Sequence, residues 1–131
     1  YLAIAQELDE NINYNGESFN FGPNAEYNKS VKELLDDLSK NWKLKQKPSF
    51  LSEETSEFHE AGLLKLNCDK ALFHLKWLPT LDYKKLIEFT SSWYYSFYNT
   101  KTDMLRFTNY QIKEYEEIAK KKDIKWTKMK L

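Results

Sequence analysis

Hydrophobic positions along the chain change period several times, and each change marks an element. In YLAIAQEL, Leu2, Ile4, Ala5 and Leu8 recur at helical spacing, and the run ends at NINYNG, whose asparagines and Gly16 favour turns. SFNFG then alternates Phe19 and Phe21 with Ser18 and Asn20, the period of a strand. Gly22-Pro23 stops it, because proline has no amide proton to give a ladder. From Val31 the period is helical again, with Val31, Leu34, Leu35, Leu38 and Trp42 on one face. Ser30 and Glu33 open this helix as a capping box, each side chain placed to satisfy a backbone donor. A second short strand is predicted around Ser49 to Leu51. Strand, helix and strand over about 35 residues form a βαβ crossover, which makes the two strands parallel.

GLLKLN reads as a further strand, Leu64 and Leu66 sharing a face. CDKALFHLKW follows as a two-turn helix with Asn67 or Cys68 near its N-cap and Pro79 beyond its end. From Asp82 the pattern is helical, with Leu86, Ile87, Thr90, Trp93, Tyr94 and Phe97 directed inward. A last helix is expected from about Thr108 to Lys121, using Ile112, Tyr115, Ile118 and Ala119. The tail KKKDIKWTKMKL is expected to be too basic to pack, and mobile. The fold class this implies is mixed α/β and helix-rich, with a small parallel βαβ unit and several packed helices.

Composition narrows the picture. A chain of 131 residues with 41% hydrophobic content, four Trp, nine Tyr and eight Phe is the size of one domain and too aromatic for a disordered one. No apolar run approaches the roughly 20 residues of a membrane span. The chain starts at Tyr1 without Met, a basic start or a signal-like core, which reads as a piece of something longer. Cys68 is alone and so makes no internal disulfide, which favours a reducing, cytoplasmic setting and a buried hydrophobe's role for the thiol. Net charge is zero, yet residues 1–60 carry 12 acids and 6 bases while residues 61–131 carry 8 and 14. Such polarity suits a basic binding surface, or two halves that face each other or a further domain.

Familiar chemistry is mostly missing. Glycines at 16, 22 and 62 form neither a dinucleotide-binding turn nor a P-loop. No tyrosine has a lysine four residues on, so the Tyr-x-x-x-Lys pair of the short-chain dehydrogenases is absent, and His59, His74 and Cys68 lack zinc-ligand spacing. No catalytic or metal-ligating residue is therefore assigned. What remains is EFHEAG, where His59 and Glu60 suit a ribose or phosphate, the imidazolium donating to anionic oxygens and the carboxylate accepting from hydroxyls. A surface ion pair explains the same two residues. WYYSFY suits base stacking, although its helical spacing equally suits a core.

The order of several pieces is more specific than any one of them. NFGPN, a helix opened by Val31 and closed by Trp42, HEA, LKLNCDKA, LKWLP, FTSSWY and QIKEY together resemble the C-terminal part of the CDP-glucose 4,6-dehydratases, within the extended short-chain dehydrogenase/reductase family. The resemblance spans about residues 1–117, leaving 118–131 as a basic helix end and tail. It implies a C-terminal substrate-binding lobe without the N-terminal Rossmann half. The complete enzyme would bind NAD in that half, oxidise the hexose at C4, eliminate water across C5 and C6 and return hydride to C6, in deoxysugar synthesis for cell-surface polysaccharide. This lobe would hold CDP-glucose by its nucleotide and be inactive alone. By position the resemblance points to His59, Glu60, Asn20, Pro23 and Asn28 as substrate-binding residues. Lys76 stands where the family has a helix-ending glycine, so its backbone is expected either to relax to negative φ or to keep the left-handed turn at modest cost.

Two other classes compete. A non-enzymatic interaction module would reuse the helices to dock a partner, and a nucleic-acid binder would use the basic end. The expected partners are CDP-glucose or a related nucleotide sugar and the Rossmann half, with a homo-oligomer compatible, and neither nucleic acid nor membrane.

Overall fold

A computed structural model of the chain describes residues 1–23, 27, 29–42 and 66–128. These form five α-helices: α1 (Leu2–Glu10), α2 (Val31–Lys40), α3 (Asp69–Leu75), α4 (Tyr83–Asn99) and α5 (Met104–Lys121). Short 3₁₀ turns follow α1 at Ile12–Tyr14 and α5 at Lys125–Lys128. No strand occurs among the described residues. The mixed α/β expectation, with its parallel βαβ unit, is therefore corrected to a helical architecture in the described part.

Ser18–Gly22 explains the error. Its alternation is real, but among the described residues no neighbouring strand pairs with its backbone. Phe19 packs edge-on against Tyr14 at 6.0 Å, and Phe21 against Trp77 at 4.9 Å. Asn20 Nδ2 donates to the Asn67 carbonyl at 3.2 Å, a side-chain bond where a ladder would have used backbone. An extended segment with two faces has strand period whether or not a partner strand exists. The strand predicted at Ser49 to Leu51 lies outside the described residues. Of GLLKLN only Leu66 and Asn67 are described, and neither is in a strand.

Helix starts follow the side-chain chemistry. Ser30 caps α2 as a complete box: its hydroxyl accepts from the Glu33 amide at 3.3 Å, and Glu33 accepts from the Ser30 amide at 2.8 Å. Asp82 caps α4 through the Lys85 amide at 2.7 Å, and Asp103 caps α5 through Arg106, four residues before the predicted start at Thr108. α3 begins after Asn67, whose side chain accepts from the Asp69 amide at 2.8 Å. It ends at Lys76 with φ 51°, so the left-handed turn is kept without glycine.

α4 is the hub. On one side its Ser91 is buried and accepts from Asn41, just beyond α2, at 2.8 Å. On the other, Trp93 Nε1 donates to Thr108 and Gln111 donates to the Phe89 carbonyl, tying α4 to α5. Among the described residues the buried apolar side chains are Ala71, Leu75, Ile87 and Ala119. Several positions expected inward are instead open: Leu86 (47% exposed), Phe97 (53%), Tyr94 and Ile112. The aromatic run from Trp93 stacks along the helix surface, Trp93 on Phe97 at 5.4 Å and Tyr94 on Tyr98 at 6.3 Å. The basic tail also departs from expectation. Lys125 bridges Glu7 at 2.7 Å and Glu10 at 2.6 Å on α1, and Trp126 stacks on Tyr115 at 6.0 Å.

Candidate functional site

A pocket of about 520 Å³ opens where the start of α2, the start of α4 and the end of α5 converge, floored by the turn after α3. The capped helix starts bring Ser30, Val31 and Tyr83 to it, and the left-handed exit from α3 brings Trp77. Lys122, at the end of α5, closes the far wall. The volume lies within the usual span of small-molecule sites, and the mixture of mostly apolar wall with a few charged groups is their usual chemistry. Among the described residues a second hollow is lined by α5 and its cap, from Asp103 to Lys113, a groove along one helix.

Tyr83 is the best-fixed wall residue. Its hydroxyl donates to Asp37 on α2 at 2.9 Å, and its ring stacks on Tyr27 at 5.9 Å and 20°. Desolvation, with the Asp37 carboxylate beside it, pushes its phenol up to about 12. The bonds from Lys40 and Tyr83 hold the Asp37 carboxyl below its usual range. Glu33 is held low by the Ser30 amide and hydroxyl and by Lys29. Lys29 sits 5.8 Å from the Tyr83 ring centroid, and Lys122 donates to the Thr80 carbonyl at 2.7 Å. The result is an aromatic wall that also carries lysines, with α2 already capped by Ser30 and α4 by Asp82. This arrangement suits binding, and among the described lining residues no nucleophile and base are poised together for bond chemistry.

Of the residues singled out in the sequence, Pro23 lines this pocket beside Gly22. Asn20 does not line it and ties the extended segment to Asn67 at the start of α3. His59, Glu60 and Asn28 lie outside the described residues. Tyr27, Tyr83, Trp77 and Lys122 were missed. A signal existed in YNKSV and LDYKK, where a tyrosine and lysines surround a helix cap. Nothing in either stretch says that the two caps meet.

Neither described glycine forms a cradle for a dinucleotide. A Cβ at Gly22 would lie 3.4 Å from Cys68 Sγ, so this glycine is packed against α3's start, and Gly16 (φ 82°) only turns the chain. No helix among the described residues is long and apolar enough to cross a membrane.

No family model matches the chain, and no solved structure does. It is similar to the CDP-glucose 4,6-dehydratase of Salmonella typhimurium, 30% identical over 115 residues. That alignment takes in 88% of this chain and 31% of the enzyme, so the chain spans less than a third of its relative's length.

Proposed function

We propose that the chain is the substrate-binding portion of a CDP-glucose 4,6-dehydratase, and that the pocket beside Gly22-Pro23 receives the nucleotide. The observation that carries this reading is the likeness to that enzyme through 88% of the chain. The aromatic and lysine-bearing pocket supports it, because a nucleotide presents a planar ring and an anionic diphosphate together. In the complete enzyme NAD would supply the hydride chemistry from outside this chain, in a reducing cytoplasm. This chain's own part is to grip the non-reacting end of the substrate. Binding energy there orients the sugar at the reacting centre.

Calorimetry on the 131-residue chain tests the reading directly. Saturable binding of CDP and CDP-glucose is expected, with no turnover of CDP-glucose when NAD is added. A folded chain that takes up no cytidine nucleotide would overturn the proposal. In that event the open aromatic side chains of α4, Tyr94, Phe97 and Tyr98, favour the second reading, a module that docks a partner.

A further inference from the structure

We propose that Tyr27 and Tyr83 form the platform on which the nucleobase stacks, with the phosphates turned toward Lys122. The inference rests on the reading of the chain as a nucleotide-sugar binder and adds which residues hold which part of the ligand.

The two rings come from different segments, one before the α2 cap and one at the first position of α4, yet lie 5.9 Å apart and within 20° of parallel. Tyr83 is immobilised at both ends, by the helix start at its backbone and by Asp37 at its hydroxyl. Tyr27 is 38% exposed, so the stacked pair leaves π-surface accessible at the rim of the pocket. A rigid ring backed by a second ring takes any planar heterocycle face-on at small entropic cost, and such stacking contributes roughly 1–3 kcal/mol per base.

Charge assigns the other end. Helix N-termini ordinarily attract phosphate, but at α2 and α4 the third amide is taken by the cap, and a carboxylate, Glu33 or Asp82, stands at each start to repel an anion. Near the platform, Lys29 is engaged by Glu33 at 3.4 Å. Lys122 also lines the pocket, its ammonium donating to the neutral Thr80 carbonyl, a partner that leaves its charge uncompensated. An anion is thus better received at the Lys122 wall than at the platform, and the ring, not the phosphate, carries most of the affinity.

The test titrates the chain with CDP, cytidine and inorganic pyrophosphate by calorimetry, with circular dichroism melting curves confirming that each variant folds. CDP and cytidine should bind and pyrophosphate should not. Tyr27→Ala should weaken both by roughly tenfold, and Tyr27→Phe should restore them. Lys122→Gln should weaken CDP and leave cytidine unchanged. CDP binding indifferent to Tyr27→Ala, or pyrophosphate binding as tightly as CDP, would overturn the platform while leaving the nucleotide reading standing. Absence of binding by CDP and cytidine alike would remove both.

Discussion

Lys76 leaves α3 with φ 51°, a conformation in which the Cβ of an L-residue crowds the following carbonyl. The turn is retained because the amides of Lys76 and Trp77 both reach the Ala71 carbonyl, and because Trp77 must enter the pocket wall. Its ammonium lies 5.2 Å from the Phe73 ring centroid, an exposed contact that contributes about 0.5 kcal/mol. Relieving the strain should gain about 1 kcal/mol, so Lys76→Gly should raise unfolding free energy by a net ~0.5 kcal/mol. Lys76→Ala, which loses the ammonium and keeps the strain, should not. Urea denaturation of the two variants decides it, and a less stable glycine variant would sink the argument. Tyr83 gives a prediction in pH. An unfolded tyrosine ionises near 10.0, whereas Tyr83 holds its proton to about 12, so between these values the folded state binds more protons. Its contribution is complete below pH 10.0 and is lost as pH rises toward 12. Stability measured at rising pH across that window should fall more for the native chain than for Tyr83→Phe. Parallel curves would refute the assignment.

Among the elements, α2 depends most visibly on its first turn. Its box satisfies donors at Ser30 and Glu33, and Ser30→Ala should cost about 1 kcal/mol, read from the denaturation midpoint. Because Glu33 is held below its ordinary 4.5, the stabilisation it provides is present above that pH and declines as pH falls through the lower folded value. Glu33→Gln should therefore flatten the acid limb of the stability curve; an unchanged limb would show that the carboxylate is not the cap. This cap was legible in the sequence because its two residues are three apart and form a recognised box, whereas the single acid that caps α5, Asp103, was not. The α4 interior was also less legible. Its deepest position is Ser91, whose small side chain bonds the Ile87 carbonyl at 2.6 Å and lets Asn41 in from α2. Apolar counting favours Tyr94 and Phe97 and passes over a buried serine. The strand at Ser18–Gly22 failed for a related reason, since period reports local extension and a ladder needs a distant partner. Pro23, which lines the pocket, was singled out only through the family likeness. Tyr27 and Tyr83 were not legible, because their meeting is a product of how α2 packs on α4.

For the whole molecule, the decisive contact joins its two described ends. The tail was expected to be mobile on charge alone, yet the acids of α1 supply the opposite charge, and the hydrogen bonds that Lys125 donates to Glu10 and Glu7 raise its pKa above the ordinary value. Lys125 is about half exposed, so solvent screens both ion pairs and each stabilises only weakly. Trp126 is different in kind. It is half buried, stacks on Tyr115 within 11° of parallel, and Tyr115 itself lines the pocket. Lys125→Met should thus lower stability slightly, with the difference vanishing in about 1 M salt, where charges are screened beyond about 3 Å. Trp126→Ala should cost roughly 2 kcal/mol or more regardless of salt, because apolar burial and stacking are lost together. The same substitution should weaken CDP binding through the slackened Tyr115 wall, although Trp126 is not among the lining residues. If instead both variants melt with the native chain and bind alike, the tail is the solvated terminus its lysines first suggested. A salt-independent loss at Trp126 alone would show that an aromatic contact, steered into place by charge, closes the fold around its pocket.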